Sequence, residues 1–176
     1  MSPRTPRRLG SLLAALIGLL AATLVSGCGA AGRPGTALVV DGHVYTPAQV
    51  VEATAQINGA IKANGQTATE AQVVNLLMLH PFVLAEATSR GLWEPDNPYN
   101  SFMNTIPNPT PTTVAAIQAS VAYASLDEEA KAAVVDGVRA ASIAVDPRYG
   151  AVNPANGFLG MPTPDWIVRT TAALDK

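Results

Sequence analysis

Hydrophobic residues recur every three to four positions through most of the chain, which is the period of an amphipathic helix. We predict that helices begin at four motifs: Thr46-Pro47-Ala48-Gln49, Thr69-Glu70-Ala71-Gln72, Thr110-Pro111 and Ser125-Leu126-Asp127-Glu128. Three of them are capping boxes, in which Ser or Thr is followed three residues later by Gln or Glu. The second helix differs from the others, because residues 73–84 are apolar almost all round. Such a helix is expected to be buried on most sides.

Three of the helices carry a one-sided apolar stripe. The stripe residues are Val50, Thr54, Ile57 and Ile61 in the first helix, Val114, Ile117 and Val121 in the third, and Leu126, Ala130, Val134, Val138 and Ala141 in the fourth. Asn64-Gly65 is a helix-ending signal for the first helix. Pro81 predicts a kink or break near His80 in the second. A short helix over about 99–106 is expected within the proline-rich stretch 93–111.

Extended pieces are predicted at both ends of the helical region. Two β-rich runs flank Asp41-Gly42, the strongest short hairpin signal, and residues 142–145 are a short strand or extended piece. From about residue 146 we expect an irregular proline-rich strap, with a final short helix from Thr163 or Pro164 through Trp166. The predicted fold class is therefore mainly α: a small helical domain with an N-terminal β-hairpin and an irregular C-terminal tail.

The first 27 residues have the pattern of an export signal. Three arginines precede an uncharged run, residues 9–25, and small residues follow it. The alternative is an uncleaved membrane anchor, although 17 residues is at the short edge of the roughly 20 needed to span a bilayer. Val25-Ser26-Gly27-Cys28 resembles the bacterial lipobox. That resemblance implies cleavage between Gly27 and Cys28 and a diacylglyceryl group on the Cys28 sulfur. Two acyl chains satisfy the requirement for stable anchoring.

Composition narrows the possible functions. Residues 28–36 are a Gly/Ala/Pro-rich tether, and residues 37–176 form the predicted domain. Without residues 1–27 the chain has 8 basic and 13 acidic residues, a balance that argues against nucleic-acid binding. Cys28 is the only cysteine, which excludes an internal disulfide framework and a multi-cysteine metal cage. Charged residues make up only 14% of the chain, against about 25% in a typical soluble domain.

No motif of catalysis or of metal or cofactor binding stands out, so we predict none of these sites. His43 and His80 have no ligand-spaced partners, and each is expected to be a surface or internally bonded histidine. The carboxylates of residues 127–129 fall in the first turn of a predicted helix, where they favour the helix dipole. Arg148 and Tyr149 could bind a ligand or lock a turn. Trp93 and Trp166 are expected to be core or lid residues.

Three segments resemble the N-terminal domain of SurA-type chaperones. Residues 39–46, V-V-D-G-H-V-Y-T, are similar to the V-N-G-x-x-I-T opening of that domain, with Asp41 where Asn is usual. Residues 72–92 are similar to its helix ending in L-x-x-E-A-x-x-x-G-I, and residues 146–150, D-P-R-Y-G, to the V-x-P-R-Y-G exit of SurA-like lipoproteins. The resemblance implies a helical domain that holds unfolded or exported chains, often beside a parvulin prolyl isomerase. About 30 residues follow Arg148, too few for a parvulin domain of about 100 residues.

The sequence thus predicts a lipid-anchored protein on the extracytoplasmic face of the cell membrane. Its expected partners are the membrane, through the diacylglyceryl anchor, and unfolded or newly exported polypeptides, which it would bind without chemistry. One alternative is a structural or assembly lipoprotein with a fixed protein partner. The other is an isomerase-related or different enzyme whose site has no recognised motif.

Overall fold

The computed structural model of the protein describes residues 35–160. The predicted export signal, the lipobox with Cys28, most of the tether and the predicted helix at Trp166 lie outside the described residues. The strands are β1 (Leu38–Val40), β2 (His43–Tyr45), β3 (Ile143–Val145), β4 (Ala151–Val152) and β5 (Leu159–Gly160). The helices are α1 (Pro47–Ile61), α2 (Glu70–Ser89), α3 (Asn97–Met103), α4 (Pro111–Ser125) and α5 (Glu128–Ala140). The mainly α fold class is confirmed.

Helices α1 and α2 begin at the two predicted capping boxes. The Gln49 Oε1 accepts a 2.8 Å hydrogen bond from the Thr46 N–H, and the Thr46 hydroxyl oxygen accepts one of 3.3 Å from the Gln49 N–H. Thr69 and Gln72 make the same reciprocal pair at 2.8 and 3.2 Å. These bonds satisfy backbone N–H groups that have no partner within the helix.

The third predicted capping box is wrong. Ser125 is the last residue of α4, and the N-cap of α5 is Asp127, whose carboxylate accepts a 2.8 Å hydrogen bond from the Ala130 N–H. Between them, Leu126 has an extended backbone and is only 4% exposed. Burying Leu126 requires the chain to turn there, so the helix begins two residues later than the pattern predicts.

Of the predicted kink or break near His80, the break is wrong, because α2 is continuous from Glu70 to Ser89. A proline inside a helix costs about 3 kcal/mol, since it has no N–H and its ring crowds the preceding turn. Large buried side chains flank this site, including Leu77, Met78 and Val83. Because each contributes about 1.5–3 kcal/mol on burial, the packing of α2 outweighs the cost of Pro81.

Helix α2 is the centre of the domain. It packs most extensively against α4 and also contacts α1, α5 and β1, which confirms that it is buried on most sides. Among the described helices it alone is long and apolar enough to cross a membrane by length and composition. However, it packs against three other helices, as the core helix of a domain does.

A three-stranded antiparallel sheet, in the order β2-β1-β3, joins the two ends of the helical region. The β1–β2 turn confirms the predicted hairpin: Asp41 and Gly42 both have positive φ, 45° and 82°, as a type I′ turn requires. Strand β3 pairs with β1 in the register Leu38↔Val145. The pairing places residues 146–160 next to the helices.

Residues 146–160 are more ordered than the predicted irregular strap. A 3-10 turn, Pro147–Tyr149, is followed by β4 and β5, which pair as an antiparallel hairpin. Gly150 has φ 122° and ψ −166°, a region that is essentially restricted to glycine. The sequence pattern misses this hairpin because each strand has only two residues.

Candidate functional site: an apolar groove

A groove of about 770 Å³ lies between α1, α2, α4 and the β4–β5 hairpin. Its larger apolar lining residues on the helices are Ile57, Ile61, Leu76, Phe102, Ile117 and Val121, and the hairpin adds Phe158 and Leu159. Three alanines, Ala68, Ala71 and Ala116, also line it, and their small side chains leave space that larger ones would fill. The volume falls within the roughly 300–1,000 Å³ of typical ligand pockets.

The β4–β5 hairpin forms one wall of the groove and is held by specific contacts. The Leu159 N–H donates a 2.8 Å hydrogen bond to the Asn75 Oδ1 on α2. Phe158 meets Tyr123 of α4 edge to face, with 5.8 Å between the ring centroids. Gly150 is in close contact with the Gly160 carbonyl across the hairpin. Asn75 therefore ties the edge of β5 to the central helix.

The loop between α1 and α2 also contributes to the lining, through Gln66, Thr67 and Ala68. The Asn58 side chain accepts a 2.7 Å hydrogen bond from the Ala68 N–H and donates one of 3.0 Å to the Ala68 carbonyl. This pair of bonds fixes the loop to α1. Because loop and hairpin are both held to helices, the groove is formed before any ligand enters.

Among the described lining residues, Tyr149 is the only titratable one. It is 4% exposed, and its hydroxyl has no hydrogen-bond partner among the described residues. Burial is the main cause that raises the pKa of the Tyr149 phenol; the Arg148 charge opposes this effect and the Glu70 charge adds to it. The other polar lining groups are amides and hydroxyls, on Gln66, Thr67, Gln72, Asn75 and Ser120. This uncharged lining suits an apolar ligand that also carries hydrogen-bonding groups.

The structure places the predicted histidines and tryptophan away from the groove lining. His43 is exposed on β2 beside Tyr45, with 4.5 Å between the ring centroids. His80 lies within the continuous helix α2, and its Nε2 lies 3.2 Å from the Gln118 Oε1 on α4. Trp93 is half-buried and packs edge to face on Tyr99. No cluster of three or more His, Cys, Asp or Glu that could hold a metal occurs within residues 35–160.

The charged candidates have structural partners. Asp127 and Glu129 lie 3.8 and 3.3 Å from the Arg90 guanidinium, and these contacts, like the N-cap at Asp127, stabilise the start of α5. Arg148 pairs with Asp146 at 2.9 Å. The Asp146 carboxylate accepts hydrogen bonds from the backbone N–H and from the side chain of Arg148. These bonds, the backbone one most strongly, hold the pKa of the Asp146 carboxyl below its usual value. Arg148 therefore locks a turn, and only its neighbour Tyr149 reaches the groove.

The groove combines residues that the sequence pattern identifies with residues that it misses. Ile57, Ile61, Ile117 and Val121 belong to the predicted apolar stripes, where they are expected to be core residues. The pattern gives no sign that part of each stripe lines an open groove. The β5 residues carry no sequence signal at all. Comparison with known proteins finds no matching protein-family model, curated protein or solved structure.

Proposed function

We propose that this protein is a lipid-anchored, extracytoplasmic chaperone-like protein that binds unfolded or newly exported polypeptides in its groove. The observation that carries the proposal is the preformed apolar groove between α1, α2, α4 and the β4–β5 hairpin. We propose that the polypeptide is bound without a chemical reaction. Among the described lining residues the one titratable group is the Tyr149 phenol, whose pKa is raised by burial.

The composition of the lining favours a polypeptide over a pure hydrocarbon. An unfolded chain presents apolar side chains together with main-chain N–H and C=O groups, which are obligatory hydrogen-bonding groups. The apolar residues of α1 and α4 match the side chains. The Asn75 amide and the Ser120 hydroxyl provide hydrogen-bonding groups for the main chain, at a site where an unpaired polar group would be costly.

The anchor part of the proposal rests on the N-terminal sequence. Cys28 would carry the diacylglyceryl group, and residues 28–36 would tether the domain to the membrane surface. Replacement of Cys28 by Ala is expected to give an unprocessed or soluble product, measured by membrane fractionation and mass spectrometry. A cleaved Cys28→Ala protein that stays with the membrane would contradict lipid anchoring.

A charge placed in the groove tests polypeptide binding. Ser120 is exposed on α4 and lines the groove, so Ser120→Arg should leave the fold intact and disfavour an apolar ligand. Ala124, one turn further along α4, is exposed and outside the lining, so Ala124→Arg is the matched control. We expect Ser120→Arg to weaken binding of a fluorescently labelled apolar peptide at least ten-fold and Ala124→Arg to leave it unchanged.

Equal peptide binding by the wild type, Ser120→Arg and Ala124→Arg would refute groove binding. Recovery of one protein in a fixed 1:1 ratio from cells, with no binding of unfolded peptides, would instead favour the structural lipoprotein with a fixed partner.

A further inference from the structure

The described chain ends in the wall of the groove. Gly160 is the last described residue and lines the groove, and the preceding Leu159 N–H is held by Asn75 at 2.8 Å. Residues 161–176 therefore start at the groove itself. A segment attached at this point needs to span only a short distance to reach the apolar lining.

The sequence of this segment matches the lining. Trp166, Ile167 and Val168 are three consecutive large apolar residues, flanked by Asp165 and Arg169. Trp166 is six residues beyond Gly160, which allows a reach of up to about 20 Å for an extended chain. The apolar triplet suits the uncharged groove, and the two flanking charges can remain in water at its rim. Aromatic side chains such as that of Trp166 bury the most area on docking.

We propose that residues 161–176 are the intramolecular occupant of the groove, with Trp166, Ile167 and Val168 packed on its apolar lining. The inference rests on the proposed function, because a polypeptide client would then bind only after it displaces this segment. A short tether gives an effective concentration in the millimolar range, which a free ligand at lower concentration must overcome. The segment would prevent weak, non-specific binding of apolar chains to the groove.

Disulfide trapping in membranes of cells that express the full chain tests the location of the segment. Cys28 is kept, because under the proposed anchoring its sulfur is alkylated and is not a free thiol, and Ser120→Cys is paired with Thr170→Cys, which lies two residues beyond the triplet. The control pairs Thr170→Cys with Ala132→Cys, an exposed position on α5 outside the lining. Because a disulfide needs Cα atoms about 4.4–6.8 Å apart, we expect an oxidant to cross-link the first pair within one chain at least five-fold more than the control pair.

A peptide-binding measurement tests the competition. In the full chain, Trp166→Asp should release the segment and tighten binding of the labelled apolar peptide about ten-fold. Thr163→Asp adds the same charge outside the triplet and should change the affinity less than two-fold. Trapping no greater than in the control pair, trapping only between two chains, or unchanged affinity in Trp166→Asp would each overturn the proposal. If Ser120→Arg still weakens peptide binding, the groove function stands without it; if Ser120→Arg has no effect, the groove function fails first.

Discussion

Gly150 sets the geometry of the groove wall, and its replacement by Ala tests that geometry directly. A Cβ at Gly150 would lie 2.7 Å from the carbonyl oxygen of Gly160 and 3.5 Å from its carbonyl carbon. Its backbone, with φ 122° and ψ −166°, would cost about 1–3 kcal/mol for a residue other than glycine. The clash is with backbone, which cannot move aside as a flexible side chain would. Overpacking of this kind adds about 1–3 kcal/mol.

We therefore expect Gly150→Ala to lower the free energy of unfolding by about 3 kcal/mol, unless the hairpin separates from the helices first. With a denaturant slope of about 2 kcal/mol per molar urea, this loss corresponds to a fall of roughly 1.5 M in the unfolding midpoint. If the hairpin separates, the helical circular dichroism of the native state is kept, but binding of the apolar peptide is lost. Urea titration followed by circular dichroism, together with the peptide-binding assay, distinguishes the two outcomes.

Gly160→Ala is the matched control, because it makes the same change on the facing strand. A Cβ there meets no atom of residues 35–160 within 4 Å, and Gly160 does not have a positive φ. Gly→Ala at a compatible position is neutral or stabilises by up to about 1 kcal/mol. A free energy of unfolding of Gly150→Ala within about 0.5 kcal/mol of the wild type, the range of a harmless surface change, together with normal peptide binding, would show that Gly150 does not set the geometry of the groove wall.

Three further predictions concern the framework around the groove. Gln56→Leu should lower the free energy of unfolding by about 1–3 kcal/mol, because the buried Thr113 hydroxyl and the Thr110 N–H lose the acceptor that they share. Gln56→Glu keeps an acceptor and should lower it less, as measured by urea unfolding. Pro81→Ala should raise stability by about 1–3 kcal/mol if α2 is continuous there, and a loss of stability would contradict this. Because the Asp146 pKa is lowered in the fold, its stabilisation is present above about pH 4, the ordinary aspartate range. The stability difference between the wild type and Asp146→Ala should shrink as the pH falls below that range; a difference that stays constant would contradict the lowered pKa of Asp146.

The helices and the first hairpin could be predicted because their signals are local. Thr46 and Thr69 bond to backbone three residues away, and Asp41-Gly42 forms its turn from two consecutive residues with positive φ. Interactions of this range depend little on the rest of the chain. Local sequence rules fail at Ser125 and at Pro81. Burial of Leu126 moves the start of α5 from Ser125 to Asp127, and the packing of α2 outweighs the helix-breaking effect of Pro81.

The groove could be predicted only in part. Ile57 and Ile117 are recognisable as apolar stripe residues, but a periodic pattern cannot distinguish a filled core from an open groove. Which of the two occurs depends on the side chains that face each stripe across the fold. Here Ala71 of α2 and Ala116 of α4 are among the residues that line the groove, and the bond from the Leu159 N–H to Asn75 spans 84 residues of sequence.

The sequence by itself determined the helical period, three of the four predicted helix starts (Thr46, Thr69 and Thr110), the Asp41-Gly42 turn and the weakly acidic, lightly charged composition. All of these depend on residues within a few positions of one another or on simple sums over the chain. The tertiary structure alone decided that α2 continues through Pro81, that residues 151–160 form a hairpin, and that this hairpin forms a groove with three helices. Those features depend on contacts between distant segments, whose packing energies exceed the local preferences of single residues.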